Sequence, residues 1–153
     1  MENTQATIDT LNDLIEINND RIKGCEHAKN DLKDEDADLK YLLNNMISES
    51  RQFKMELATE VAALGKDIAT GSSTSGTLHR TWLDVKAAFA GHSVHSILEE
   101  CEFGEDAILK AYKTALEEES TPAYIKDLLV KQQSILQEAH DNVKALRDRT
   151  AQE

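Results

Sequence analysis

The chain has 153 residues, which is enough to bury a hydrophobic core and fits one domain of ordinary size. It carries 17 basic residues against 29 acidic ones, for a formal net charge of −12. A duplex-binding protein needs a basic face that displaces counterions, and an anionic membrane repels an acidic surface. We therefore expect neither nucleic acid nor membrane among its partners.

The N-terminus and the cysteines bear on the cellular compartment. The first ten residues, MENTQATIDT, are polar and lack the charged-then-apolar order of a signal peptide. The two cysteines, Cys25 and Cys101, match no CxxC or Cys/His ligand spacing. We expect a cytoplasmic protein with free thiols.

Two long helices are predicted in the first half of the chain, because apolar residues recur there at spacings of three and four. The first runs from about Gln5 to about Asn30. Asn18 is the polar residue in the stripe of otherwise apolar residues along one face of this helix. The second follows an acidic turn that suits a helix N-terminus, and Ser50 is its polar member. The apolar members are Ile8, Leu11, Ile15, Ile22 and Cys25 in the first helix, and Leu39, Leu43, Met46, Phe53, Leu57, Val61 and Leu64 in the second.

The second half begins with TGSSTSGT, residues 70–77, which reads as a flexible loop. A short helix is predicted over about 78–90, lying against the side of the bundle with Trp82 as its anchor. The third long helix begins after Ser93 and ends near Glu118. The fourth is predicted to begin at Pro122, with Thr121 as its N-cap, because proline suits the first position of a helix, where its missing N–H is not needed.

The lengths of the connections predict the topology. The first and second helices, and the third and fourth, are joined by short turns, so each pair should be antiparallel. The second-to-third connection is just long enough to return along the whole bundle. The sequence therefore predicts an all-α, up-down-down-up four-helix bundle with a short crossover helix, as a single domain over residues 1–153.

The polar residues on these stripes are predicted to meet roughly midway along the bundle. Asn18 and Ser50 both lie roughly 18–24 Å from the turn between the first two helices, at 1.5 Å per residue. A buried polar group without a partner costs about 1–3 kcal/mol, so such groups should bond to one another. We predict a polar core layer of Asn18, Ser50 and Gln133, or Gln132 in its place, with His140 at the same level.

A bundle with one crossover is also the architecture of ferritin-like proteins. Their di-metal members use a Glu from each of two helices and a Glu-x-x-His motif from each of the others, because carboxylates neutralise the cations and imidazoles complete the coordination. The segment TLNDLIEINNDRIKGCEHAK resembles a ferritin-type first helix, and aligned on its leucines the ligand position falls on Asn18. The inward pair of the second helix is Ser50 and Phe53, and a phenylalanine cannot bind metal.

The third and fourth helices retain part of such a ligand set. The segment ECEFGED places Glu102 and Glu105 three residues apart, close to the rubrerythrin pattern of two inward glutamates. The segment QEAH, which ends at His140, has the Glu-x-x-His shape with glutamine in the first position. Glu102, Glu105 and His140 are therefore candidate metal ligands. The alternatives are a solvated flank or a buried polar layer for the two carboxylates, and an interfacial hydrogen bond for the histidine.

The chain as a whole also resembles a narrower group. The run GTLHRTWLDVKAAFAG…ILEECEFGEDAILKAYKTALEE, with LNDLIEINNDRI before it and AHDNVKALRD after it, is similar to a family of uncharacterised bacterial four-helix-bundle proteins in the ferritin-like superfamily. This resemblance implies the fold and says little of function, because one fold hosts many functions.

Two functions remain open at this point. The incomplete ligand set favours a non-catalytic bundle that acts through self-association or partner binding and needs no cofactor. A homodimer is the simplest assembly, since two-fold pairs are the commonest soluble oligomers. The fold, together with Glu102, Glu105 and His140, favours instead a di-iron or manganese carboxylate oxidase, peroxidase or storage protein.

Overall fold

The structure is a computed structural model that describes residues 2–30, 32, 36–65, 94–119 and 121–150. Four long α-helices account for most of these residues, and no strand occurs among them. The helices are α1 (Glu2–Asn30), α2 (Ala37–Ala63), α3 (Val94–Leu116) and α4 (Ala123–Thr150). The predicted crossover helix at 78–90, with Trp82, lies outside the described residues.

The helices form a bundle in which α1 packs mainly against α2 and α3 mainly against α4. The two pairs meet where α1 contacts α3 and α2 contacts α4. From Asn18 to Arg21 along α1, the partner on α3 steps back from Tyr112 to Glu105, so α1 and α3 are antiparallel. The short 31–36 connection makes α2 antiparallel to α1 as well. Helices α2 and α3 are therefore parallel, and the predicted up-down-down-up order is confirmed.

The ends of the described helices follow simple backbone rules. Helix α2 ends where Gly65 adopts a left-handed conformation with φ of 82°, which a residue with a Cβ rarely adopts. The N–H of Gly65 donates to the carbonyl of Ala62 and so satisfies one of the last carbonyls of the helix. No helix in the described part of the chain is both long and apolar enough to cross a membrane.

A polar layer divides the hydrophobic core into two clusters. One cluster lies toward the start of α1 and includes Leu11, Phe53 and Leu129. The other lies toward the turn between α1 and α2 and includes Leu43 and Leu98. Along α1 the clusters are separated by residues 18–21, and along α2 by residues 48–52. The side chains that fill this gap make up the candidate site.

Candidate functional site

The centre of the bundle holds a charged side chain, Arg21, of which only 2 % is exposed. Its Nε donates to Oε1 of Glu105 at 2.7 Å, and its Nη2 donates to Oε2 of the same carboxylate at 3.1 Å. Glu105 is also 2 % exposed. Arg21 and Glu105 therefore form a buried, bidentate ion pair, the geometry in which a guanidinium binds a carboxylate most strongly.

The remaining hydrogens of the Arg21 guanidinium point toward α2. Nη1 donates to the carbonyl oxygen of Met46 at 3.1 Å and to Oγ of Ser50 at 2.9 Å. Nη2 also donates to Oε1 of Glu49 at 3.2 Å. A guanidinium has five N–H groups, and these contacts use all of them. Arg21 is thus held by one face of α2 and by a carboxylate of α3.

Opposing electrostatic effects act on this cluster. Burial alone would lower the pKa of Arg21, but the neighbouring Glu105 carboxylate and its hydrogen bond more than offset this and raise the pKa above its ordinary value. Burial raises the pKa of Glu49, although the attraction of Arg21 works in the other direction. Arg21 therefore keeps its positive charge at the centre of the bundle.

A chain of hydrogen bonds continues from this cluster across all four helices. Oγ of Ser50 donates to Oδ1 of Asn18 at 2.9 Å, and Nδ2 of Asn18 donates to the hydroxyl of Tyr112 at 3.0 Å. The Tyr112 hydroxyl donates to Oε1 of Gln132 at 2.7 Å, and Nε2 of Gln132 donates to Oε1 of Glu56 at 3.1 Å. Burial raises the pKa of Tyr112, against the opposing effect of the Asn18 hydrogen bond, so the phenol stays neutral.

The structure places Asn18 and Ser50 in this layer, as the sequence indicates, but the glutamine differs. Gln132 is fully buried, whereas Gln133 is only half-buried and takes no part in the layer. Gln132 is the buried one because it continues the buried face of Leu129 and Leu136 on α4, whereas the next residue is turned by about 100° around the helix.

The three candidate metal ligands separate into two places. Glu105 turns inward to Arg21, whereas Glu102 and His140 lie on the outer seam between α3 and α4. Glu102 pairs there with Arg147, and Nε2 of His140 lies 2.6 Å from Oδ1 of Asp106. A spacing of three residues turns a helix by about 300°, so one glutamate faces the core while the other faces the seam.

The sequence pattern does not point to Arg21 or Tyr112 as members of the polar layer. Arg21 lies three residues after Asn18 and so shares its face of α1, but a single arginine among surface residues does not stand out. The spacing of Tyr112 on α3 indicates only a place on the buried apolar face, although its hydroxyl bonds Asn18 and Gln132. A usable signal was the inward position of Glu105, because a buried carboxylate needs a cation or several donors nearby.

Comparisons with known proteins agree with this architecture. A solved structure of a point mutant of Dps1 from Mycobacterium smegmatis matches with a TM-score of 0.81. The match covers 95 % of this chain and 97 % of that chain at 16 % sequence identity, which shows the ferritin-like fold and no more. No curated protein matches the chain in sequence.

The family comparison assigns the chain to a sequence family as well as to a fold. The family model described as "Domain of unknown function (DUF2383)" matches residues 6–118, which include most of α1 and all of α2 and α3. That range is more than half of the chain and contains Asn18, Arg21, Ser50 and Glu105. The chain therefore belongs to the DUF2383 family, and its fold is a ferritin-like four-helix bundle.

Proposed function

We propose that this chain is a non-catalytic ferritin-like bundle that acts through its surface, by self-association or by binding a partner. The Arg21 guanidinium supports this proposal most directly. It supplies the positive charge that Glu105 requires at the centre of the bundle, and each of its five N–H groups has an acceptor.

A metal ion at the same place would have to displace Arg21. The displaced guanidinium would leave a buried position in which all its donors are bonded, and removing one partner of a buried ion pair costs about 3–5 kcal/mol. The amide of Asn18 is also engaged, with Leu14, Ser50 and Tyr112 as its partners. Asn18 occupies the place where the ferritin-like pattern has a metal ligand, and its amide offers no carboxylate to a cation.

The surface of α2 offers support for self-association. Tyr41 and Met55 are 71 % and 65 % exposed, and they lie nearly four helical turns apart, which puts them on one outward face. The two side chains lie roughly 21 Å apart along the helix and do not form a contiguous patch, so only a contact over the whole outer side of α2 would bury both. A homodimer that pairs this face with its own copy is the simplest assembly, because a two-fold axis makes one patch serve both chains.

Oxidation of ferrous iron tests the non-catalytic proposal. We expect the purified protein to oxidise Fe²⁺ in air no faster than buffer does, with a ferritin as positive control. Oxidation well above the buffer rate that is lost in Glu105→Gln would replace this proposal with the di-metal alternative. Glu49→Gln serves as a second variant if Glu105→Gln does not fold, because Glu49 faces the same guanidinium from a partly exposed position.

A further inference from the structure

A second polar cluster lies on the outer seam between α3 and α4, away from Arg21. Glu102 and Asp106 are four residues apart and so lie one turn apart on the same face of α3. His140 faces them from α4, and one ligand atom from each of the three side chains lies within 4.8 Å of the others. An imidazole nitrogen and two carboxylate oxygens thus converge on one point.

His140 is oriented from both sides. Its Nε2 faces Asp106, while its Nδ1 lies 3.4 Å from Oδ1 of Asp141. Asp141 is held in turn by Nε2 of Gln137 at 3.0 Å. Metal-binding histidines in proteins almost always donate their second ring N–H to a carboxylate, a carbonyl or water, which fixes the ring and directs the free nitrogen at the metal.

The exposure of the three side chains suits a metal site whose ligands are held in place by packing but remain accessible from solvent. Glu102 and His140 are only 16 % and 15 % exposed, so the helices hold them in place, whereas Asp106 is 60 % exposed and opens the cluster to solvent. Glu102 pairs with Arg147, but Nη2 of Arg147 also donates to Asp148 at 2.9 Å. Arg147 therefore keeps a partner when Glu102 turns to another cation.

We propose that Glu102, Asp106 and His140 bind a single divalent transition-metal ion such as zinc. Two carboxylates neutralise its charge, and the imidazole favours zinc or iron over magnesium and calcium, which prefer oxygen ligands alone. Three protein ligands leave a fourth position for water. The metal takes the place between Nε2 and Asp106, and the ring carries its hydrogen on Nδ1, which faces Asp141.

This site is independent of the function proposed above, because it uses none of the side chains that contact Arg21. Zinc titration of the full chain, followed by isothermal calorimetry against a competing chelator, tests it. We expect one Zn²⁺ per chain, no binding of Mg²⁺ at the same concentrations, and at least a tenfold loss of zinc affinity in His140→Ala.

Two controls separate this site from general surface binding. His27→Ala removes an exposed histidine from the last turn of α1 and should leave zinc affinity unchanged. Arg147→Gln removes the cation that competes for Glu102 and should raise the affinity severalfold. Equal affinity in wild type and His140→Ala, or an equal loss in His27→Ala, would overturn the proposal. If His140→Ala fails to fold, Asp106→Asn tests the same site from its exposed side.

Discussion

Arg21 shows how a single residue determines what the centre of this bundle can do. A lone guanidinium is very costly to bury. The Glu105 carboxylate offsets this cost by accepting two parallel hydrogen bonds from Arg21. A buried pair of this kind adds little net stability compared with apolar side chains of the same volume. Removing only one partner of the pair is strongly destabilising, because the other charge is then buried without a counter-charge.

Replacing Arg21 by methionine should lower the free energy of unfolding by about 3–5 kcal/mol, because Glu105 then remains buried without its cation. Urea denaturation followed by circular dichroism measures the change. The double variant Arg21→Met with Glu105→Met should recover much of the loss, since it removes both charges together.

Arg51 provides the matched control for this prediction. Its ion pair with Glu26 also joins two helices, α2 and α1, but the two side chains are 64 % and 46 % exposed. Arg51→Met should therefore change the free energy of unfolding by about 1 kcal/mol or less. Equal costs for Arg21→Met and Arg51→Met would show that the central pair is not buried as described.

Cys25 links burial to pH dependence. Burial raises the pKa of its thiol from an ordinary value of 9.0 to about 12. The folded protein keeps this proton where the unfolded chain loses it, so stability is retained below pH 9 and falls as the pH rises from about 9 to about 12. Urea denaturation at several pH values should show a shallower alkaline loss in Cys25→Ala than in the wild type, and identical slopes would contradict this.

At the scale of the element, α4 shows how far periodicity alone can go. The spacing of its residues predicts a buried face made of Ile125, Leu128, Leu129, Gln132, Ile135, Leu136, Ala139, Val143 and Leu146. The structure buries all of these except Leu128, Ile135 and Leu146, which are partly buried. Gln132 belongs to this repeat, three residues after Leu129 and four before Leu136, whereas Gln133 is turned away from it by about 100°. The repeat therefore favours Gln132 as the buried amide, and packing against α2 and α3 supplies its hydrogen-bond partners.

Gln132 and Gln133 therefore form a natural pair of variants on one helix. Gln132→Leu should lower the free energy of unfolding by about 1–3 kcal/mol, because the buried Tyr112 hydroxyl loses its acceptor. Gln133→Leu should change it by less than about 0.5 kcal/mol, as is usual for substitutions away from the core. Chemical denaturation of the two variants compares them directly, and a larger loss in Gln133→Leu would contradict the register of α4.

The four helices and their order could be predicted from the sequence, but only part of the site could. Helix existence follows from apolar spacing, and the order follows from connection lengths, both of which are local properties of the chain. The contact between Arg21 and Glu105 joins residues far apart in sequence, on two helices whose relative rotation the apolar pattern fixes only roughly. For the same reason, Glu102 and Glu105 could be named as a pair but not divided between seam and core.

At the scale of the whole molecule, the net charge of −12 opposes the association of two copies. Added salt screens this repulsion, so a dimer held by apolar contacts should become more abundant as salt rises toward about 0.5 M. Light scattering coupled to gel filtration should show twice the chain mass. Replacing both Tyr41 and Met55 by glutamate should return the protein to the single-chain mass, and an unchanged dimer would exclude this face of α2 as the contact.

The number of metal ions that one chain can hold tests the central role of Arg21 most directly. Native mass spectrometry can count them after the wild-type protein is loaded with excess ferrous iron or manganese under argon and then desalted. Because a guanidinium occupies the bundle centre, we expect at most one ion per chain, bound at the α3–α4 seam and lost in His140→Ala. Two ions per chain in the wild-type protein would contradict it.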